Sequence, residues 1–153
     1  MSAEPVRSGA PDDASMLDLD RFNAVALQHD PYDFLVLPDF VKPEALARAA
    51  ADFPVIDKPG SFPVGNLACG PAFVALMREL EGPVFRAAVE RKFGIDLTGR
   101  PTMITVRGQT DETDGRIHTD SKTKLITMLI YFNSDWSSNP GGRLRILRSG
   151  SDL

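Results

Sequence analysis

The fold predicted for this chain depends on the stretch GRIHTDSKTKLITMLIYFNSDW, residues 115–136, which joins a polar loop to the most apolar run of the sequence. His118, one of only two histidines among 153 residues, is followed two positions later by Asp120. The run from Leu125 to Phe132 contains no charged side chain, and its length and composition predict a strand over 124–133. A His-x-Asp pair therefore precedes the most apolar predicted strand.

The predicted strand has no charged face. Side chains alternate between the two sides of a strand, so positions 126–132 of even number form one apolar face. The odd-numbered face carries the hydroxyls of Thr127 and Tyr131. Two uncharged faces predict that both are covered, the even one by helices. The odd face suits a barrel interior with a few polar groups, and it equally suits hydrogen-bonded core residues.

Along the chain, the predicted helices precede most of the predicted strands. Helices are predicted over 42–53, 71–81 and 83–93, where Pro43 and the Gly82-Pro83 pair mark starts and Gly94 marks an end. This order predicts an α+β protein in which helices back one face of a sheet.

The remaining segments are predicted strands, loops and a tail. Further strands are predicted over 33–40, 101–108 and 143–148, and loops over 54–70 and 109–115. Residues 1–15 are rich in Pro, Gly, Ser, Ala and Asp, and we expect them to form a disordered tail.

Composition narrows the functional classes. Hydrophobic residues make up 42% and charged residues 25%, which is typical of a globular domain. The formal charge of −4 argues against nucleic-acid binding, and no apolar run approaches the ~20 residues of a membrane span. The single Cys69 excludes an internal disulfide and is expected to pack. Because the first residues lack an apolar signal region, we expect a cytoplasmic protein.

The His-x-Asp pair is a candidate metal site. Residues two apart in an extended segment project to the same side, ~6.5 Å apart, so His118 and Asp120 could converge on one ion. Imidazole and carboxylate are suitable ligands for Fe(II), and a 2-His-1-carboxylate triad leaves positions open for substrate and oxygen. The pair alone is equally compatible with two surface residues in a polar loop.

The wider context resembles the Fe(II)- and 2-oxoglutarate-dependent oxygenases, in particular their prolyl 4-hydroxylase-like branch. The matching segments are HTD (118–120), LITMLIYFNSDW (125–136) and GGRLRIL (141–147), and the helical first half with FLVLPDFVKPEAL also fits. The resemblance covers roughly residues 33–150. It implies N-terminal helices packed on the first half of a double-stranded β-helix, or jelly roll.

The resemblance also implies a function and a site. It implies a hydroxylase that uses Fe(II), 2-oxoglutarate and O2, with ascorbate as a candidate reductant and a small-molecule or peptidyl substrate. His118 and Asp120 match the iron ligands, and Tyr131 matches a position whose hydroxyl reaches the distal carboxylate of 2-oxoglutarate. Thr127, on the same face, is a second candidate for the co-substrate pocket. Arg107 lies near another co-substrate position, but a loop-length difference keeps it out of the predicted site.

The sequence departs from the family after the Gly-Gly strand. A second iron-binding histidine and an Arg or Lys for the 2-oxoglutarate carboxylate would follow, and neither is present in these residues. The chain thus matches a partial oxygenase domain over 16–153, with a helical layer over about 41–94 and β-helix strands over about 101–150. It holds about four of the eight core strands.

Three explanations of this departure stay open. The chain is a fragment, which we favour, or it takes the missing half from another polypeptide, or it is a shorter non-catalytic fold. The exposed edge of half a barrel would favour self-association. The alternative functions are a non-catalytic interaction module and a cupin-like metal-binding barrel. The cupin alternative is weakened because His118 is the only histidine of the β-rich half.

Overall fold

The computed structural model describes residues 14–110, 114, 116–133 and 144–152. Most of the predicted tail, the Gly-Gly pair at 141–142 and Arg143 lie outside the described residues.

Four helices and one small sheet make up the regular structure of the described residues. The helices are α1 (Leu19–Ala24), α2 (Pro43–Ala51), α3 (Pro71–Glu81) and α4 (Pro83–Phe93). The strands are β1 (Phe62–Pro63), followed by a single 3₁₀ turn at Val64–Asn66, and β2 (Thr105–Val106). The strands pair antiparallel, with Phe62 opposite Val106 and Pro63 opposite Thr105.

Helices α3 and α4 have the predicted bounds, and local chemistry explains why. Pro71 and Pro83 stand in the first turn, where a missing N–H costs no helical hydrogen bond. Gly94 ends α4 in the left-handed conformation with φ of 63°, which a residue without Cβ adopts without strain. Helix α2 falls within the predicted 42–53 and is shorter by one residue at its start and two at its end.

The first turn of α3 is capped by a side chain from another part of the chain. Asp52 Oδ2 accepts a hydrogen bond from the N–H of Ala72 at 2.6 Å, and the N–H of Gly70 donates to the carbonyl of Asp52 at 3.0 Å. A Cβ atom on Gly70 would clash with Cβ and Cγ of the Asp52 side chain. Only glycine therefore leaves room for this side chain to cap the helix.

The core lies among the helices and the segments that precede them. Every fully buried hydrophobic side chain of the described residues falls between Met16 and Val106. Two groups of three aromatic rings organise this core, with ring centroids 5.3–5.6 Å apart. One group is Phe22, Phe40 and Phe85; the other is Phe53, Phe73 and Phe132. Such tilted and edge-on pairs stabilise a core beyond their buried area.

Glu79 connects α3 to the chain segment before α1. Its carboxylate accepts hydrogen bonds from the N–H groups of Met16 at 2.9 Å and Leu17 at 3.3 Å. The hydroxyl of Ser15 also donates to Glu79. Three donors from one short segment therefore converge on one partly buried carboxylate.

The first predicted strand is absent from the structure, and the second is much shorter than expected. Residues 33–40 form no strand; Phe34 makes only an isolated bridge with Gln28, with N–O distances of 2.8 and 2.9 Å. Of 101–108, only Thr105 and Val106 form a strand, and they pair with the predicted loop 54–70. A strand exists only with a hydrogen-bonded neighbour, and composition does not identify that neighbour.

The second half of the predicted sheet is not observed as strands. Among the described residues, neither 124–133 nor 144–148 carries a strand. The double-stranded β-helix therefore stays a prediction.

Within the described ranges, no helix combines the length and the apolar character that crossing a bilayer requires.

Candidate functional site

The predicted metal pair lies on a segment shaped by a turn at 121–124. The N–H of Lys124 donates to the carbonyl of Ser121 at 2.9 Å, and the N–H of Thr123 donates to Ser121 Oγ at 3.3 Å. Serine is suited to such turns because its hydroxyl bonds to nearby backbone. The turn reverses the direction of the chain, so that Lys124 and Thr127 come back to contact Asp120.

Two side chains beyond Asp120 hold its carboxylate. Thr127 Oγ1 donates to Asp120 Oδ2 at 2.8 Å, and Lys124 Nζ donates to Asp120 Oδ1 at 3.0 Å. The Asp120 side chain is 42% exposed, so both contacts lie at the surface. Each carboxylate oxygen can accept more than one bond, which leaves room for a metal ion.

These contacts lower the pKa of Asp120 below that of an ordinary aspartate. The hydrogen bond from Thr127 is the largest cause and that from Lys124 the second, while partial burial acts in the opposite direction. The charge of Lys124 lowers the pKa of Asp120 further, as does that of the His118 ring when it is protonated. Asp120 therefore stays ionised, as a metal ligand must, to lower pH than an unperturbed aspartate.

The ring of His118 is held by a main-chain contact. Its Nδ1 lies 2.7 Å from the carbonyl oxygen of Arg116. Because a carbonyl can only accept, Nδ1 carries the proton, and the neutral ring then presents its lone pair at Nε2. An Nδ1–H bonded to a carbonyl is the arrangement that orients many metal-binding histidines.

The donors fit Fe(II) in type but are two in number. Imidazole nitrogen and carboxylate oxygen belong to the ligand set of non-haem iron. No group of three or more His, Cys, Asp or Glu side chains that could hold a metal exists within the part of the chain that the structure describes. The other histidine, His29, pairs instead with Asp33 at 2.6 Å.

Tyr131 lies on the opposite side of its segment from the helices. Ile130 and Phe132 pack against the core, whereas Tyr131 between them is 40% exposed. Its hydroxyl accepts a hydrogen bond from the N–H of Leu144 at 3.2 Å. The alternation predicted for this run is thus present at 130–132.

The one described hydrogen bond of the Thr127 side chain goes to Asp120. That contact, with Asp120, differs from the co-substrate contact expected from the resemblance. Sequence reasoning also missed Lys124, although a basic residue four positions after an aspartate is a recognisable signal for an ion pair. Arg107, which the prediction set aside, contacts Asp114 Oδ1 at 2.8 Å and Ser61 Oγ at 2.8 Å.

The segment that carries this site also exposes apolar side chains. The structure leaves at least a third of each of these large hydrophobic side chains exposed: Ile117, Leu125, Ile126, Met128, Leu129 and Tyr131. The expectation that both faces of 125–132 are covered is therefore wrong over 125–129. Only the end of the run reaches the helices, through Ile130 and Phe132.

Chemically, the arrangement offers an oriented imidazole and an ionised carboxylate, both open to solvent, on a segment that also exposes apolar side chains. Such a pair can bind a divalent cation or an ammonium, and Lys124 supplies an ammonium from within the chain. Searches of protein-family models, curated proteins and solved structures found no match to this chain.

Proposed function

We propose that this chain belongs to an Fe(II)- and 2-oxoglutarate-dependent dioxygenase, a hydroxylase of the prolyl 4-hydroxylase-like type, and that it acts in the cytoplasm. His118 and Asp120 bind the iron, and Tyr131 and Thr127 line the co-substrate side. The observation that supports the proposal is the local setting of each residue: Nδ1 of His118 donates to the carbonyl of Arg116, and the Asp120 carboxylate accepts hydrogen bonds from Thr127 and Lys124.

The residues of this chain have defined tasks in that proposal. The carbonyl of Arg116 keeps the lone pair of His118 on Nε2, and Thr127 holds Asp120 Oδ2. Bound Fe(II) would supply the oxygen chemistry that couples decarboxylation of 2-oxoglutarate to hydroxylation of a small-molecule or peptidyl substrate, with ascorbate as the reductant. The apolar side chains around 125–131 would keep water from that site once covered.

The proposal requires a third iron ligand and a cation for the distal carboxylate of 2-oxoglutarate. Neither is assigned among these 153 residues, so we expect the chain alone to bind metal weakly and to turn over little or no substrate. Translation of the genomic sequence downstream of codon 153 tests this requirement directly. A continuing frame with a histidine followed by an arginine or lysine would meet it.

Anaerobic calorimetry with Fe(II), followed by 2-oxoglutarate, tests the site itself. We expect Fe(II) to bind the unaltered chain and Asp120→Ala to weaken that binding at least tenfold, because one of two protein ligands is lost. Asp57→Ala, an exposed aspartate of the 54–70 loop, is the charge-matched control and should bind as the parent does. Equal binding by the Asp120→Ala chain would overturn the proposal.

The exposed apolar side chains of 117–131 favour a second candidate function, a non-catalytic interaction module. Large apolar side chains left exposed on one short segment favour coverage by another protein. This candidate predicts association of the chain with itself that does not depend on Fe(II). Sedimentation at several concentrations, with Leu129→Asp as the variant, separates it from a metal-dependent role.

A further inference from the structure

We propose that the two hydrogen bonds to Asp120 have opposite effects on metal binding: Lys124 competes with the metal for Asp120, and Thr127 positions the carboxylate for it. This inference rests on the proposed function, since it concerns the same pair of iron ligands. Its basis is that each of the two donors contacts a different oxygen of one carboxylate.

Lys124 is a cation placed where a metal ion would interact most strongly. Its ammonium lies 3.0 Å from Asp120 Oδ1, within ion-pair distance. A divalent ion bound to the same carboxylate repels that ammonium, because two like charges a few ångströms apart raise the energy of the complex even near water. The Lys124 side chain is 56% exposed, so it can move into solvent when the metal binds, at the loss of its ion pair.

Thr127 donates to Asp120 without carrying a charge. Its hydroxyl bonds Oδ2 at 2.8 Å from seven residues along the chain, across the turn at 121–124. The bond limits rotation of the carboxylate and adds no repulsion toward a cation. Groups that hydrogen-bond a metal ligand in this way commonly account for 10–100-fold in metal affinity. Thr127 is therefore a positioning residue, acting through Asp120.

The two roles make predictions of opposite sign for two neighbouring substitutions. Lys124→Gln removes the competing charge and is expected to tighten metal binding about threefold. Thr127→Val removes the hydroxyl at nearly constant shape and is expected to weaken binding about tenfold. Thr127→Ser keeps the hydroxyl and should bind nearly as the parent does. Lys122→Gln removes a lysine of the same turn that has no described contact with Asp120, and it should change little.

Binding of Mn(II) to the full chain, followed by electron paramagnetic resonance of the free ion, measures these effects without any activity. The Lys124→Gln gain should shrink as salt is raised, since exposed charges are screened, whereas the Thr127→Val loss should persist. Circular dichroism melting of each variant, expected to match the parent because the site is exposed, separates altered binding from altered folding.

The outcomes distinguish this inference from the proposed function. If Asp120→Ala abolishes Mn(II) binding but Lys124→Gln and Thr127→Val leave it unchanged or shift it in the same direction, only the inference fails. If Lys122→Gln raises the Mn(II) affinity as much as Lys124→Gln does, the increase comes from the change in net charge and the inference likewise fails. If Mn(II) binding ignores Asp120→Ala, or if neither the parent nor Lys124→Gln binds Mn(II), both fail. Binding that appears only in Lys124→Gln supports the competition.

Discussion

The region 14–110 and the segment 116–133 are both rich in apolar residues, yet only the first contains fully buried apolar side chains. Leu76 on α3 is 0% exposed, and Leu129 in the apolar run is 53% exposed. Helix α3 packs against both α2 and α4, whereas the apolar run contacts the core only at its far end. Apolar character therefore does not by itself bury a segment; a second layer must be present to receive it.

The largest expected effect is on the free energy of unfolding when the same substitution, leucine to alanine, is made once in each region. Leu76→Ala should lower the free energy of unfolding by about 2–5 kcal/mol, because it leaves a cavity in a closed core. Leu129→Ala should change it by less than about 0.5 kcal/mol, because the side chain is already in water. Urea unfolding monitored by circular dichroism measures both, and equal losses would break the comparison.

The next effect concerns the carboxylate that joins the beginning of the helical region to α3. Glu79→Ala leaves the N–H groups of Met16 and Leu17 without their acceptor and should cost about 1–3 kcal/mol. Amide exchange at these two residues should accelerate more than exchange in α4. Glu81→Ala, at the exposed end of the same helix, is the control, and an equal loss there would contradict the assignment.

A smaller effect tests the contact between the two regions. Phe132 packs against Phe53 and Phe73 while staying partly exposed, so Phe132→Ala should cost about 1–2 kcal/mol, less than a fully buried phenylalanine. Trypsin should then cut faster after Lys122 and Lys124. Leu129→Ala should leave the cutting rate unchanged, and a rate that Phe132→Ala does not alter would show that this contact does not anchor the segment.

The smallest effect is a pH dependence within the exposed segment. Thr127→Val should raise the pKa of Asp120 toward that of an ordinary aspartate, because the largest cause of its lowering is removed. In the parent chain, the lowered pKa of Asp120 stabilises the fold at pH above the pKa that Asp120 has in the unfolded state. This stabilisation is lost as the pH falls through the pKa of Asp120 in the folded state. Solvent screening keeps it small.

Carboxyl carbon NMR titration measures the pKa of Asp120 directly. Asp96 is the internal reference, since its pKa is lowered chiefly by the N–H of Thr98, and it should be the same in both chains. An unchanged pKa of Asp120 would contradict the hydrogen bond from Thr127.

Local signals predicted the helices well because each signal acts within a few residues. The prolines and glycines that bound α3 and α4 constrain their own backbone angles, so no distant partner is needed. Helix α1 was not predicted. It is six residues long and is supported by a residue of α4, Lys92. The ammonium of Lys92 donates to the carbonyl of Asn23 at 2.8 Å and to that of Val25 at 2.6 Å. Its one local signal was Asp18, which caps the N–H of Arg21.

Strand pairing and side-chain partners were harder to predict because both depend on distant or turn-mediated contacts. Nothing in residues 101–108 indicates that Val106 pairs with Phe62. The sequence brings His118 and Asp120 close through adjacency alone, and the alternation that sets Tyr131 opposite Phe132 follows from an extended backbone. The approach of Lys124 and Thr127 to Asp120 depends instead on the turn at 121–124, whose geometry composition does not specify.

The close approach of Gly70 to Asp52 has an evolutionary consequence. A Cβ atom at position 70 would meet Cβ as well as Cγ of Asp52, so a side chain at position 70 conflicts with every residue other than glycine at position 52. Asp52 can change while Gly70 stays, at the loss of the hydrogen bond that caps the helix beginning at Pro71. Related chains should therefore vary more at position 52 than at position 70.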